Sequence, residues 1–584
     1  MAPAALTTVR AVLSRFGDGM PAFTTAFLDG QYVLWLGSGI SRDRVPNVYE
    51  LLGRIVEFLR SRIDPDDEHC VYRSALDDVL ALASLTEVER SSLDYGIPFA
   101  EWNSRDRIAG VLVARYSEVL DVRVPGKARD YLVWEALDVP ETYGSPSIEP
   151  DVEHYCIAVL MLEGLVDSAV TANWDGLVER ALTELSSSVT DVARFVVKPE
   201  DFQLPTRSID FIKFHGCAVR ARSDSNYRPL LIARHSQISV WATQQPHRSM
   251  RRRLEALYAE RPTLMLGLSA QDANLHHVFG TAVQDLARGW SESAAPAIVL
   301  SEQRLLAHHS HVLEITYGAD FEGNVDAITE SAVIGAFGKP TLIALVLEAL
   351  TRKFSFLVTE VLVPKWGGEE SERLAAQLLH LRDRVADIAD PPDAEKMTWE
   401  EIARYQRDFV ARLIHHVNVS LSIFRTGHLP AHGQHYEPLS DRPIARATLN
   451  PDFPGTQFGL FGVALALMGR GHAAGDWSVE TNRGPGSSTG LFQLTTDART
   501  VPIHIVKDSS TLAALEMSDA FDTSDGRALI VVADEEAPES TRSPRPRYGR
   551  VGRSGPGRFS VASNVGATSS ADELLEAFKL AGGL

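Results

Sequence analysis

Cysteine is scarce in this chain: 584 residues hold three, Cys70, Cys156 and Cys217, none within metal-ligand spacing of another. That excludes a disulfide framework and a cysteine-built zinc module, and it fits a reducing compartment. Long apolar runs are missing too. The longest, Phe458 to Met468, is too short to cross a bilayer, and no apolar leader opens the chain, so a cytoplasmic protein without membrane attachment is expected. Positive charge is short: 57 Lys and Arg against 77 Asp and Glu give a net charge of -20. A surface that binds nucleic acid everywhere is therefore disfavoured, which leaves room only for a local basic patch.

What remains is an ordinary globular composition, 45% hydrophobic, long enough for two to four domains. The most informative stretch is Gly37-Ser38-Gly39-Ile40-Ser41, which follows the apolar run Tyr32 to Leu36. A strand, a glycine turn and a helix start is how α/β proteins cradle a phosphate, because glycine lets backbone approach closely and a helix N-terminus offers free N–H groups. Asn47 as N-cap, with Glu50 three residues on, predicts a helix whose core positions are Leu51, Leu52, Ile55 and Leu59. Arg42 stands where a dehydrogenase fingerprint wants its third glycine, and no Lys-Ser or Lys-Thr follows the turn as in a Walker loop. The other glycine-lysine segment, Gly335 to Pro340, has Pro340 where the magnesium-binding hydroxyl belongs.

Three further segments repeat the strand-to-polar pattern. Ser168-Ala169-Val170, preceded by the helix-like run His154 to Leu165, releases into Thr171, Asn173 and Asp175. The strand Phe211 to Phe214 ends in His215-Gly216, and Thr263 to Leu266 releases into Gly267, Ser269 and Asp272. Ligands of open parallel sheets sit at the carboxyl ends of strands, where these residues fall. Singly, each has a plainer reading: Asn173 as a cap for the helix beginning near Asp175, His215 as a structural histidine, Gly267-Leu268-Ser269 as a turn.

In their joint order these residues resemble a sirtuin-like protein of the bacterial kind that consumes NAD in antiphage defence; the resemblance covers about residues 25–300. It implies a Rossmann-like α/β fold with a helical insert, and NAD as substrate. Gly37, Ser38, Gly39, Ile40 and Ser41 would hold the diphosphate. Thr171, Asn173 and Asp175 would face the nicotinamide and its ribose, His215 matches the essential histidine, and Gly267, Ser269 and Asp272 would line the adenosine side. Asn173 and His215 are the expected catalytic pair. The chain departs from sirtuin deacylases in lacking their four zinc cysteines, so no metal is expected, and in carrying Ala172 where they usually have glutamine before the asparagine. Hydrolysis of NAD to ADP-ribose and nicotinamide is the resulting expectation. A non-enzymatic NAD or ADP-ribose sensor and an ADP-ribosyltransferase are the alternatives.

The expected organisation is an N-terminal helix over 1–24, a catalytic domain over 25–300 with a helical insert at about 50–150, a mainly helical segment over 301–425 and a small α/β domain over 426–584. Residues 5–16 carry Arg and Ser without acids, as a transit peptide would, but read better as a short amphipathic helix packed on the next domain. Insert helices are predicted from Leu76, Val79, Leu80 and Leu82, and from Ile108, Val111, Leu112 and Tyr116. Farther on, Leu374, Leu378, Leu379 and Leu381 predict one apolar face, and Ile402, Phe409, Leu413 and Ile414 another, with a break at Pro391-Pro392. Strands are predicted at Ile503–Val506 and at 528–532, and a glycine-rich loop at 469–490. Arg542, Arg545, Arg547, Arg550, Arg553 and Arg558 form an acid-free stretch that reads either as a solvated loop or as a polyanion contact. The family resemblance implies a homo-oligomer and an activating protein, nucleic acid or nucleotide acting through residues 301–584.

Overall fold

The computed structural model describes residues 7–241, 243–244, 247–286, 288–430, 435–448, 453–481, 492–517, 528–534 and 556–584. Six short parallel strands form the first sheet: β1 (Val33–Leu36), β2 (Ser168–Thr171), β3 (Ala193–Val196), β4 (Ile209–Lys213), β5 (Thr263–Leu266) and β6 (Ile298–Ser301). Their spatial order is β3-β4-β2-β1-β5-β6, with β1 in register between β2 and β5. Five of the six, all but β3, are buried along their whole length, which is why they read as continuous apolar runs rather than as alternating ones.

The predicted helix after the glycine turn is present as Val48–Arg60. Asn47 accepts from the Glu50 N–H at 3.1 Å while the Glu50 carboxylate takes the Asn47 N–H at 3.1 Å, and Leu51, Leu52, Ile55 and Leu59 are buried. It opens a run of helices between β1 and β2 with a core of its own, to which Leu76, Val79, Leu80, Ile108 and Leu112 contribute. Tyr116 departs from that face and keeps 37% of its surface open. The N-terminal helix Val9–Ser14 buries Val9, Val12 and Leu13, and the Asp390 carboxylate accepts its first N–H, at 3.0 Å.

The long helix Gly338–Trp366 joins two cores. Its residues Leu342 to Leu350 pack with β1, β2 and the Val152–Leu162 helix, whereas Phe354 to Leu362 pack with the Gly455–Ala474 helix and the second sheet. Gly459 and Gly462 permit that second contact: a Cβ on Gly459 would lie 2.6 Å from the Leu357 carbonyl oxygen, and one on Gly462 2.7 Å from Val358. Beside it run Gly368–Ala375, Leu378–Ala389 and Trp399–Thr426. Leu374, Leu378 and Leu381 are buried as predicted, but Leu379 is 40% exposed, because helix geometry turns it about 100° away from its neighbour Leu378.

The second sheet contains β7 (Ser478–Thr481), β8 (Phe492–Thr495), β9 (Thr500–Val506), β10 (Leu529–Val532) and β11 (Gly557–Ser560), in the order β11-β10-β9-β8-β7. β9, β10 and β11 are parallel, while β7 and β8 form an antiparallel edge. The fold is thus α/β with a helical middle and a smaller α/β unit. The predicted loop at 469–490 is corrected in part. Residues through Ala474 complete a helix and Ser478–Thr481 is a strand, since Gly469 and Gly471 serve close packing against Gln377 and Trp477 rather than a turn. Positions 482–490 lie outside the described residues, as do Arg542, Arg545, Arg547, Arg550 and Arg553 of the basic stretch. Among the described residues no helix is long and apolar enough to cross a membrane.

Candidate active site

The glycine loop is built from three glycines in backbone contact. The Gly37 N–H donates to the Leu266 carbonyl at 2.9 Å and the Gly39 N–H to the Gly267 carbonyl at 2.9 Å. Any side chain there would collide: a Cβ on Gly37 would lie 2.3 Å from the Gly267 oxygen, and one on Gly39 2.6 Å from the Gly267 Cα. Gly267 itself has φ +59°, the left-handed region that glycine adopts at little cost. Close approach of backbone to backbone at the ends of β1 and β5 is therefore what these glycines do first. A single 3₁₀ turn, Ser38–Ser41, follows, and the Val48–Arg60 helix starts only after a further turn. The helical turn nearest the strand end is accordingly the 3₁₀ turn rather than that helix, and its Gly39 and Ile40 N–H groups are taken by the carbonyls of Gly267 and Gly37.

The remaining predicted residues divide by what their side chains touch. Ser38 and Ser269 are exposed, whereas Ile40 packs into the core. The Thr171 hydroxyl donates to the Leu36 carbonyl at 3.0 Å and accepts the Asn173 N–H at 3.0 Å. Asp175, buried, accepts the Leu177 N–H at 3.1 Å and so secures the start of the Leu177–Leu185 helix. Asn173 is not that helix's cap: its Nδ2 donates to the Gly37 carbonyl at 3.0 Å and ties the end of β2 to the glycine loop. Ser41 is fully buried, and its hydroxyl meets His154 Nε2 at 3.1 Å. Burial lowers His154 to about 4, and its Nδ1 accepts the Asp151 N–H at 2.9 Å, so the proton sits on Nε2 and is donated to Ser41.

His215 differs from all of these. It is 5% exposed, flanked by Phe214 and Trp241, and its Nε2 has no hydrogen-bond partner. The nearest acceptor is Asp272 Oδ2 at 3.5 Å, while Asp272 Oδ1 takes the Asn274 N–H at 2.8 Å and caps the Ala273–Asp285 helix. Burial lowers the His215 pKa and the Asp272 charge pulls it partly back, which leaves the ring neutral near pH 7. A buried imidazole nitrogen without a partner is costly unless something else uses it. It has company: Asn274 Nδ2 and Trp241 Nε1 are also buried without partners.

The chain segment after β5 is held in place by two histidines that sequence reasoning did not single out. His309 Nε2 lies 2.7 Å from the Leu268 carbonyl and His276 Nε2 2.6 Å from that of Ala270, which sits at φ +53°. Tyr116, from the helical insert, lies close enough to Asp272 for that charge, added to burial, to push its hydroxyl up to about 12. Beside the glycine loop, residues 42–46 line a cavity of about 450 Å³ together with Arg54, Thr142 and Ser147. The Gly335–Pro340 segment is no phosphate loop, since Lys339 is buried in ion pairs with Asp43, Asp151 and Glu153. Among the described residues no group of three or more His, Cys, Asp or Glu is placed to hold a metal.

β4, β2, β1 and β5 are neighbours, so Asn173, His215, the glycine loop and Asp272 gather at one edge, the carboxyl ends of four parallel strands. That arrangement is a parallel α/β sheet with a histidine at its carboxyl edge, the edge at which ligands of open parallel sheets sit. Residues 167–318 match the family model of the SIR2-like domain. SIR2-like domains bind NAD and are in general NAD-dependent enzymes. The matched span holds Asn173, His215 and Asp272; β1 and the glycine loop lie before it in sequence, but pair into its sheet between β2 and β5. No curated protein matches the chain.

Proposed function

We propose that this protein hydrolyses NAD to ADP-ribose and nicotinamide, with His215 as general base and Asn173 orienting the reacting ribose. The observation that carries the reading is the buried, neutral, unpartnered Nε2 of His215 at the strand ends of a SIR2-like domain. Cleaving the bond between nicotinamide and ribose builds positive charge on the sugar, so the required groups are a base for the attacking water and a nearby carboxylate or carboxamide. His215 accepts the proton of that water, Asp272 at 3.5 Å stabilises the imidazolium formed, and Asn173 holds its carboxamide beside the glycine loop. The reaction balances as NAD⁺ and water giving ADP-ribose, nicotinamide and a proton.

The polar cavity supports a phosphorylated ligand. Of its three carboxylates, Asp43 is paired with Lys339, Glu141 with Arg222 and Glu50 takes the Asn47 N–H, while Arg42 and Arg54 have no carboxylate within ion-pair distance among the described residues. Guanidinium groups in that state suit a diphosphate. Three cysteines cannot supply a four-cysteine zinc site, which disfavours deacylation. In a cell such an activity depletes NAD, so we assign it to the toxic effector of a bacterial antiphage defence, a cytoplasmic homo-oligomer restrained until a protein, nucleic-acid or nucleotide signal acts through residues 301–584.

The test is incubation of the purified protein, wild type and His215→Ala, with NAD, with and without lysate of infected cells, following nicotinamide and ADP-ribose by chromatography. Release by the wild type and its loss in the variant are expected. Equal release by both removes His215 from the mechanism, and NAD binding without release under either condition favours the sensor alternative.

A further inference from the structure

The turn that follows the glycine loop is gripped from behind by two helices that begin some three hundred residues later. Asp43 lies two residues past Ser41. Its Oδ2 takes the Lys339 ammonium at 2.5 Å and its Oδ1 accepts the Trp399 Nε1–H at 2.9 Å. Lys339 stands in the first turn of Gly338–Trp366 and Trp399 is the first residue of Trp399–Thr426, so both helices hold one carboxylate of the turn. The Lys339 ammonium also lies 5.5 Å from the centre of the Trp399 ring.

A second connection runs through Asp151. Lys339 Nζ is 3.4 Å from Asp151 Oδ2 and 3.3 Å from Glu153 Oε1, and Arg407, two turns along the Trp399–Thr426 helix, donates to Asp151 Oδ1 at 2.9 Å. The Asp151 N–H fixes His154, which donates to Ser41. Both ends of the segment Ser41–Asp43 are thus tied to the same helices.

The cluster is buried and short of positive charge. Lys339 is 4%, Asp151 1% and Glu153 5% exposed, and one ammonium and one guanidinium face three carboxylates. Asp151 Oδ2 and Glu153 Oε2 have no hydrogen-bond partner, and burial raises Glu153 to about 7. Removing a cation from such a group leaves uncompensated buried charge, so the arrangement holds tightly or gives way. The same turn, Arg42 to Pro46 with Asp43 among them, lines the cavity beside the glycine loop.

We propose that Lys339, with Arg407 and Trp399, positions the Ser41–Asp43 turn, and that through this ionic clamp the helices of residues 338–426 set whether the glycine loop holds its ligand-binding form. As regulation of NAD turnover it rests on the function proposed above; as control of the loop it does not. The experiment compares wild type, Lys339→Met, Lys339→Arg and Trp399→Phe by hydrogen–deuterium exchange and by NAD kinetics. Lys339→Met is expected to speed exchange of amides 40–45 about tenfold while β4 and β5 exchange as in wild type. It should raise KM for NAD about tenfold with kcat changed less than about threefold, and Lys339→Arg should recover most of both. Trp399→Phe, which deletes a single bond to Asp43, should move both in the same direction by less, and it decides the matter if Lys339→Met does not fold.

Unchanged exchange at 40–45 in folded variants overturns the proposal, and so does faster exchange spread evenly over the sheet, which would mean a general loss of stability. Faster exchange confined to 40–45, in a protein that cleaves no NAD in any form, upholds the clamp and removes the hydrolase. Histidine-dependent cleavage with KM unmoved in a loosened variant removes the clamp from control of binding.

Discussion

The two sheets of this molecule share parallel strands that run into helices, yet among the described residues they use the polar groups at their strand ends differently. In the smaller sheet the polar groups after β9, β10 and β11 are used by the fold. Asp508 accepts from the Thr511 N–H and the Ser510 hydroxyl, Ser560 from the Ser563 N–H, and the Ala533 and Asp534 N–H groups reach back to the carbonyls of Val506 and Lys507. In the larger sheet the corresponding positions leave the Nε2 of His215 and the amide nitrogen of Asn274 unpaired. Topology offers the same location in both sheets, and unsatisfied polar groups mark out the larger one as the candidate.

The contrast can be broken most sharply at His215. His215→Ala should lower NAD cleavage by about 100- to 10,000-fold, the range a general base contributes, with the melting temperature held or raised because an unpaired buried group is removed. Retained activity with a folded protein would end the comparison. Asn173→Ala should follow, with turnover lowered about 100-fold and NAD binding still measurable by calorimetry. The variant also removes the bond to the Gly37 carbonyl, at about 1 kcal/mol of stability.

Asp272→Asn sharpens the electrostatics. Asparagine caps a helix as well as aspartate, so folding should persist. With His215 as the proposed base, the active form is the neutral ring, whose pKa burial lowers and Asp272 raises, while His247 nearby adds no negative charge. The wild-type rate should therefore be flat above pH 7 and fall on the acid side, below the ordinary histidine value near 6.5. Without Asp272 that acid limb should move to lower pH, and a pH–rate profile moving the other way would contradict the assigned cause. The smallest effect belongs to the other sheet. Asp508→Ala should cost about 1 kcal/mol in denaturant unfolding, as loss of a helix-start bond does, and leave basal cleavage untouched.

How much of this the sequence discloses follows from the range of the interactions involved. The glycine turn, the Asn47–Glu50 capping box and the strand ends at Asn173, His215 and Gly267 are legible because neighbours in the chain carry the whole pattern. Thr171, Asp175 and Ser41 were legible as positions, but their side chains serve Leu36, Leu177 and His154, partners that local pattern does not specify. Lys339 illustrates the limit. Pro340 already tells against a phosphate loop there, but only the juxtaposition of Lys339 with Asp43, Asp151 and Glu153 shows what its ammonium does instead. His276 and His309 lie within helices, and nothing in their neighbours signals that they hold the carbonyls of Ala270 and Leu268.

The Gly338–Trp366 helix has a mechanical consequence. Its 29 residues make a rod about 43 Å long, with Lys339 at one end and the second sheet's core along the other half. Gly459 and Gly462 seat that far half against a neighbouring helix with almost no gap, which makes the seat a fulcrum rather than a cushion. From the seat at Leu357 and Val358 to Lys339 the arm is about 27 Å, over which a tilt of about 4° moves the tip by about 2 Å. Such a stroke suffices to lift an ammonium off the carboxylate of Asp43, so a signal arriving at the far sheet need not travel through the chemistry it governs.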